Sequence, residues 1–289
     1  MFQEIYSPVQ KLEIDPFNNL FVKRDDLIDP YVSGNKWRKL KYILKKASLE
    51  NKNHLVTFGG AYSNHLVATA AASARFGLNS TAFVRGEEVR NEMLLLCSLF
   101  GMKLIFVDRE SYKNKPLLFK EHFGDDTNTY FIDEGGASKE AVTGCAEIIS
   151  ELNETYDHIF VAAGTGTTAA GLLSAIQTRN LPSKLHVIPV LKGGDFIKDE
   201  MAKYVKLSDH LILHTDYHFG GYAKTNSELI HFIKSFTAKT GLLTDPVYTA
   251  KMFYAINDLQ QKKSINSTDK ILAIHTGGLL GILGMRDKF

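Results

Sequence analysis

Short apolar runs rich in β-branched and aromatic residues alternate along the chain with longer amphipathic or alanine-rich stretches. The runs His54–Phe58, Ser80–Val84, Lys103–Val107, Thr129–Ile132, His158–Ala162, Leu185–Val190, Leu211–Leu213 and Lys270–His275 predict strands. Asn64–Phe76, Glu140–Leu152, Thr167–Arg179, Ser227–Thr240 and Val247–Lys262 predict helices between them. Mostly apolar strands alternating with helices argue for parallel sheets covered on both faces. The expected fold is α/β, with two domains, each an open, mostly parallel twisted sheet with helices on both faces. The polar link Glu50-Asn51-Lys52-Asn53 and the pair Gly135-Gly136 set the boundaries. Residues 48–137 then form a smaller α/β domain, inserted into a larger one made of 1–47 and 138–289. Residues 109–127 read as polar and turn-rich.

Length agrees with this division, since 289 residues exceed a typical single core. Hydrophobic residues make up 44% and charged residues 23%, enough for a sizeable core and too ordered a mix for wholesale disorder. A formal net charge of +2 gives no broad surface for nucleic acid or an anionic membrane. The two cysteines, Cys97 and Cys145, do not make a secreted disulfide framework and read as reduced thiols of a cytoplasmic protein. Met1-Phe2-Gln3-Glu4-Ile5 shows no leader pattern, and no run reaches the roughly 18 apolar residues of a membrane span.

The stretch Ser33-Gly34-Asn35-Lys36-Trp37-Arg38-Lys39-Leu40 looks like a helix start that Ser33 or Asn35 can cap. With Lys36 as zero, a turn of about 100° per residue gathers Trp37, Leu40, Ile43, Leu44 and Ala47 between roughly −20° and +100°. Lys36 lies inside this apolar sector. Arg38, Lys41, Lys45 and Lys46 fall on the opposite or flanking face, which reads as mostly solvated. Two readings of Lys36 stand at this point. It is a first-turn lysine that snorkels to water, or a desolvated amine with a lowered pKa, usable as nucleophile and base.

Three strand ends run into glycine-rich turns that open helices: Phe58-Gly59-Gly60-Ala61-Tyr62-Ser63-Asn64-His65, Ala163-Gly164-Thr165-Gly166-Thr167-Thr168 and His275-Thr276-Gly277-Gly278. Helix N-termini present unpaired N–H groups and the positive end of the dipole, and ligands of open parallel sheets bind at C-terminal strand ends. The second turn suits a phosphate, because its glycines allow close approach and its threonines add donors. It lacks the Gly-Lys-Ser/Thr of a P-loop and the spacing of a dinucleotide site. The first turn suits a carboxylate; Ser63 and Asn64 are equally able to cap the helix.

With these residues in view, the chain resembles the fold-type II pyridoxal-phosphate enzymes, specifically the D-cysteine desulfhydrase and 1-aminocyclopropane-1-carboxylate deaminase family. The matching segments run in the family's order: Lys23-Arg24-Asp25-Asp26-Leu27, Gly34-Asn35-Lys36, Ser63-Asn64-His65, Gly164–Thr168, Gly221-Tyr222, Asp245-Pro246-Val247-Tyr248-Thr249 and His275-Thr276-Gly277-Gly278. The resemblance implies pyridoxal 5'-phosphate as cofactor, Lys36 as its Schiff-base lysine, Asn64 near its phenolic oxygen, and Gly164, Thr165, Gly166, Thr167 and Thr168 around its phosphate. It implies Thr276 as partner of the pyridine nitrogen. Ser63, Asn64 and His65 are expected to receive the carboxylate of a small amino-acid substrate. Ser63, Tyr222 and Tyr248 are the further catalytic candidates, with the tyrosines tuned by cation-rich surroundings. A homodimer is the family expectation.

Two positions separate the branches. The deaminase branch carries Glu and Leu where this chain has Thr249 and Thr276, which is similar to the desulfhydrase branch. A carboxylate at the pyridine nitrogen keeps it protonated and strengthens the electron sink; a hydroxyl does not enforce that. The chain departs from the family at Tyr62, Val67 and Ala223, which bears on substrate identity. The expected activity is α,β-elimination from D-cysteine to sulfide, pyruvate and ammonia. The alternatives are 1-aminocyclopropane-1-carboxylate deaminase, a non-catalytic pyridoxal-phosphate-binding homologue, and a nucleotide module using Gly164–Thr168. His210, His214 and His218 recur every four residues as metal ligands would on a helix, but Leu211-Ile212-Leu213 reads as a strand, so no metal site is expected.

Overall fold

The computed structural model of the chain describes residues 5–15, 17 and 19–289. Residues 1–4, where the leader reading falls, lie outside the described residues. In chain order the elements are β1 (Val9–Leu12), β2 (Leu20–Lys23), α1 (Asn35–Leu49), β3 (His54–Gly60), α2 (Asn64–Arg75), β4 (Asn79–Arg85), α3 (Glu92–Leu99), β5 (Lys103–Val107), α4 (Lys115–Phe123) and β6 (Thr129–Ile132). There follow α5 (Lys139–Ser150), β7 (His158–Ala163), α6 (Thr167–Thr178), β8 (Lys184–Pro189), α7 (Phe196–Ala202), β9 (Leu211–Leu213), α8 (Ser227–Thr240), α9 (Thr249–Gln261) and β10 (Ile271–Ile274).

The strands form two sheets, as the alternation predicts. One has four strands in the order β5-β4-β3-β6, all parallel, drawn from residues 54–132. The other has six, in the order β1-β2-β10-β7-β8-β9. It is parallel except for the β1–β2 pair, in which Val9 faces Lys23 and Leu12 faces Leu20. Strand β2 pairs with β10, Ile271 opposite Leu20, so segments some 250 residues apart in sequence lie side by side.

Five elements, β1, β2, α3, α4 and α7, escaped the apolar pattern, three of them for identifiable reasons. Strand β1 is Val-Gln-Lys-Leu, half-exposed at a sheet edge, with little alternation to read. Helix α4 lies inside the stretch expected to be turn-rich. Asn114 caps it by accepting from the N–H of Leu117, and Leu118, Phe119 and Phe123 seat it on a cluster with Phe58, Phe83 and Phe131. Helix α3 is the apolar run 93–99, capped by Asn91, with Cys97 in the core; burial pushes that thiol up to about 12.

Helix α1 is covered on two sides, and this places the site. One side packs Leu40, Ile43, Leu44 and Ala47 against Leu55, Ala68, Ala71 and Ala72 of the four-stranded unit. The other side meets α5 so closely that a Cβ on Gly144 would lie 1.9 Å from the Arg38 carbonyl oxygen. Helix α5 in turn packs on α6. This chain of contacts brings the N-terminus of α1 beside that of α6. No helix among the described residues is long and apolar enough to cross a membrane.

Candidate active site

The first turn of α1 is built by docking rather than by a side-chain cap. Gly34 occupies the N-cap at φ 57°, and neither Ser33 nor Asn35 caps the helix. A Cβ on Gly34 would sit 1.9 Å from the carbonyl oxygen of Thr276, and the N–H of Asn35 donates to that oxygen at 3.2 Å. Asn35 instead spends its side chain on α6: Nδ2 donates to Thr168 Oγ1 at 2.9 Å.

Lys36 points inward. Its Nζ lies 3.5 Å from the carbonyl oxygen of Gly135, and burial, with the nearby Lys39 ammonium second, pushes its pKa well down. That is the geometry of the desolvated amine rather than of the snorkelling lysine.

The solvated face expected for Arg38 does not exist. Arg38 is fully buried, donating to Asp25 through Nε at 3.1 Å and Nη2 at 2.7 Å, and to Glu151 through Nη1 and Nη2. Asp25 belongs to the Lys23–Leu27 motif, so part of that motif serves this ion pair. Lys39 is also buried, and its Nζ donates to Gly135 O at 2.8 Å. The sequence reading missed Lys39 as a site residue; at about 60° round the helix from Lys36 it flanks the apolar sector, and that angle was the available signal.

The Gly164–Thr168 turn opens α6. Gly166 takes the N-cap in the left-handed region, and α6 has no side-chain cap. Thr165 and Thr167 hydroxyls lie 3.1 Å apart. The turn abuts the Gly135 loop, since a Cβ on Gly135 would be 3.0 Å from Thr165 Cγ2. Backbone N–H groups, three hydroxyls and the buried Lys39 ammonium close by form a donor set for an anion. No carboxylate lies in the turn.

The Ser63-Asn64-His65 turn opens α2. Ser63 is the N-cap residue, yet its side chain makes no capping bond, so the capping alternative does not describe it. Asn64 Nδ2 donates to the Gly278 carbonyl at 3.2 Å, tying this turn to the third one. His65 turns away from the turn's open side. Thr57 Oγ1 donates its one proton to Ile132 O at 3.0 Å, so it accepts from His65 Nε2 at 2.8 Å. His65 Nδ1 is left buried without a partner, and a Cβ on Gly136 would lie 3.6 Å from it. Burial, then Lys36 and Lys39, hold His65 well below the usual imidazole pKa.

Tyr248 lies over the phosphate-type turn: a Cβ on Gly164 would be 3.2 Å from its hydroxyl. Its ring meets that of Tyr222 edge-on, with centroids 6.1 Å apart. The expected tuning by cations is slight: Arg85 lowers the Tyr222 phenol as the smallest of several influences. Burial raises the Tyr248 phenol well above its usual value; Tyr222, 45% exposed as a residue, is raised by the partial desolvation of its hydroxyl end. Both stay protonated near neutral pH.

The two branch positions differ in what they leave available. Thr249 is buried, and its hydroxyl donates to Asp245 Oδ1 at 2.9 Å while accepting from the Asp245 N–H at 2.9 Å. Asp245 also accepts from the N–H groups of Val247, Tyr248 and Thr249, fixing the start of α9. Thr276 keeps its hydroxyl outside any hydrogen bond among the described residues. Sequence reading had treated Asp245 only as motif; its capping role follows from Asp two to four residues before those N–H groups.

The remaining histidines are not gathered as ligands. His210 bonds to the Ser183 carbonyl, and His218 Nδ1 accepts from the Gly220 N–H. His214 stacks on His186, which meets His158 edge-on. Among the described residues no group of three or more potential ligands could hold a metal ion.

These residues fit pyridoxal phosphate. The uncapped end of α6 carries hydroxyls, and a desolvated lysine lies on the neighbouring Gly135 loop, while Thr276 keeps a hydroxyl outside any hydrogen bond among the described residues. The comparisons with known proteins agree. A family model described as pyridoxal-phosphate dependent enzyme matches residues 3–277. A Thermotoga maritima protein provisionally named 1-aminocyclopropane-1-carboxylate deaminase is 34% identical over 288 residues, covering 91% of this chain and 90% of its own length. The mitochondrial bifunctional D-cysteine desulfhydrase/1-aminocyclopropane-1-carboxylate deaminase of Arabidopsis thaliana is 31% identical over 303 residues, covering 93% of this chain and 74% of its own. A solved structure described as an ACC deaminase homologue has a TM-score of 0.85 at 31% identity, over 98% of this chain and 92% of that one.

Proposed function

Because the chain belongs to the pyridoxal-phosphate dependent enzymes, with the fold of type II, we propose that it carries out α,β-elimination on a small amino acid. D-cysteine is the proposed substrate; with one water it gives sulfide, pyruvate and ammonia. When bound, pyridoxal phosphate supplies the electron sink for the bond broken at Cα. Lys36 would hold the cofactor through Nζ, and its free amine would take the α-proton; its lowered pKa keeps a neutral fraction for that. The uncapped N-terminus of α6 holds the phosphate, with Thr165, Thr167 and Thr168. Ser63 and Asn64 at the uncapped N-terminus of α2 receive the substrate carboxylate. Tyr248, kept protonated by burial, donates to the leaving sulfur, and Tyr222 orients it.

The observation that carries the desulfhydrase reading is the chemistry of the branch positions. Thr249 is spent on Asp245, so the hydroxyl of Thr276 is what remains for the pyridine nitrogen. A neutral partner there suits elimination, in which a leaving group at Cβ takes up the charge, better than ring opening. The names of the relatives favour a second reading, 1-aminocyclopropane-1-carboxylate deaminase. A cytoplasmic homodimer completes the proposal.

The test is a turnover screen of holoenzyme with D- and L-cysteine, D-serine, β-chloroalanine and 1-aminocyclopropane-1-carboxylate. D-cysteine is expected to have the highest kcat/KM, with sulfide and pyruvate formed in equal amounts. Faster turnover of the cyclopropane substrate would give the second reading. No turnover of any, with visible absorbance still lost on borohydride reduction, would point to a non-catalytic binder. Lys36→Ala is expected to abolish both absorbance and turnover, and Tyr248→Phe to keep the absorbance and lower kcat about a hundredfold.

A further inference from the structure

We propose that the Lys251 ammonium is a built-in monovalent cation, filling a cage of three backbone carbonyls that fixes Tyr222 opposite Tyr248. The inference rests on Tyr222 serving the site as proposed above. Lys251 lies three residues after Tyr248, in the first turn of α9, and its side chain is fully buried. Its Nζ donates to His218 O at 2.8 Å and Gly221 O at 2.9 Å, with Val190 O at 3.4 Å. Three acceptors match the three N–H bonds of an ammonium. The cage therefore joins the end of β8, the loop before Tyr222 and the helix that carries Tyr248.

The loop is shaped to aim those carbonyls inward. Phe219, Gly220, Gly221 and Ala223 have φ of 51°, 93°, 120° and 54°. Two of the four carry side chains in a region that L-residues rarely adopt. A backbone so turned presents its oxygens to one point, and something there has to hold it. Burial brings the Lys251 pKa to about 8, against the pull of Asp245, which leaves the amine mostly charged at neutral pH. Gly221 is bonded to Tyr222, so a slack cage moves the phenol directly. Converging carbonyls of this kind equally suit K⁺ or NH₄⁺.

Lys251 is accordingly a positioning residue, and its test uses charge rescue. Lys251→Ala opens room for an ion, whereas Lys251→Met fills the same space without charge. Both are prepared as holoenzyme, with Tyr222→Phe beside them, and melted and assayed in KCl, NH₄Cl and choline chloride at equal ionic strength. In choline, Lys251→Ala is expected to melt lower than the parent and to turn over about tenfold more slowly. In K⁺ or NH₄⁺ it should regain at least about half of both losses, and Lys251→Met neither. A melting temperature of Lys251→Ala indifferent to the cation would overturn the proposal. So would equal responses of the two variants, or an alanine variant insoluble in every salt while the methionine variant folds. If Tyr222→Phe turns over like the parent, Tyr222 leaves the catalytic reading, and the cation dependence of melting still judges the cage.

Discussion

Asn35 Nδ2 donates to Thr168 Oγ1 at 2.9 Å, joining the residue before the candidate anchor lysine to the second residue of the phosphate-type helix. Helices α1 and α6 are thus held in register by this side-chain bond besides their packing through α5. A neutral hydrogen bond contributes about 1 kcal/mol, or roughly fivefold in an equilibrium. Asn35→Ala should weaken pyridoxal-phosphate binding about fivefold and Thr168→Val more, since its hydroxyl is also proposed to serve the phosphate, with the double variant little worse than Thr168→Val. Titration of apoenzyme followed at the visible absorbance measures this. Strictly additive losses would show that the pair is not coupled.

Gly34 meets the third turn backbone to backbone, at a φ of 57° and with no room for a Cβ. Gly34→Ala is expected to lose about 2–4 kcal/mol, from overpacking added to left-handed strain. Gly193 has φ 70° and nothing within 4 Å of its would-be Cβ, so Gly193→Ala carries only the strain, about 1 kcal/mol. Urea denaturation of the two variants separates the terms. Equal losses would mean that the Thr276 contact does not constrain the loop.

Arg38, Asp25 and Glu151 form an ion network with Lys23, whose Nζ donates to Glu151 Oε2 at 2.8 Å. Asp25 and Arg38 are both fully buried. Arg38→Met removes the cation and strands the Asp25 carboxylate in the interior, which is expected to cost about 3–5 kcal/mol. The measurement is the urea midpoint at constant slope. A loss under about 1 kcal/mol would place the network among those that apolar packing replaces without penalty.

The imidazole row sets the response to acid. His158 Nδ1 and His186 Nε2 are 2.9 Å apart, His186 Nδ1 and His214 Nε2 are 2.8 Å apart, and His158 Nε2 faces Asp269 at 3.2 Å. Burial, then the neighbouring His214 and His158, lower the His186 pKa to about 2, and burial lowers His214 and His65 as well. In the unfolded chain these groups take up protons near pH 6.5, while the folded chain does not. The unfolded state therefore binds more protons below that pH, and stability falls as pH drops from about 6.5 toward the folded values. Urea midpoints should decline steadily between pH 7 and 5, and less steeply in His186→Gln. A flat profile across that range would contradict the buried neutral imidazoles.

How much of this could be read from the order of residues alone depends on how local the cause is. Strands β3 to β10 were legible because each is an apolar run bounded by turn residues, and two parallel sheets followed from their alternation with helices. Strand β1 and helix α4 were not, because each is fixed by what it leans on: β1 by its pairing with β2, α4 by the phenylalanine cluster beneath it. Arg38 shows the limit most plainly. Helical periodicity assumes one buried face, but α1 lies between the four-stranded unit and α5, and its second buried face meets Asp25 and Glu151.

The sequence by itself pointed to the cofactor, through seven short motifs in the order of a known family, and put Lys36 in an apolar sector; whether its amine stays inside or snorkels out was settled by the fold. Only the tertiary structure decided which polar groups remain available for chemistry. Thr249 and Thr276 are both threonines beside motif residues, yet one hydroxyl is consumed by Asp245 and the other is not. Lys251 sits in a helix like any other lysine until a loop 30 residues earlier in the chain turns its carbonyls onto it. Hydrogen-bond capacity is spent between segments far apart in sequence, so its remainder emerges only once the chain is folded.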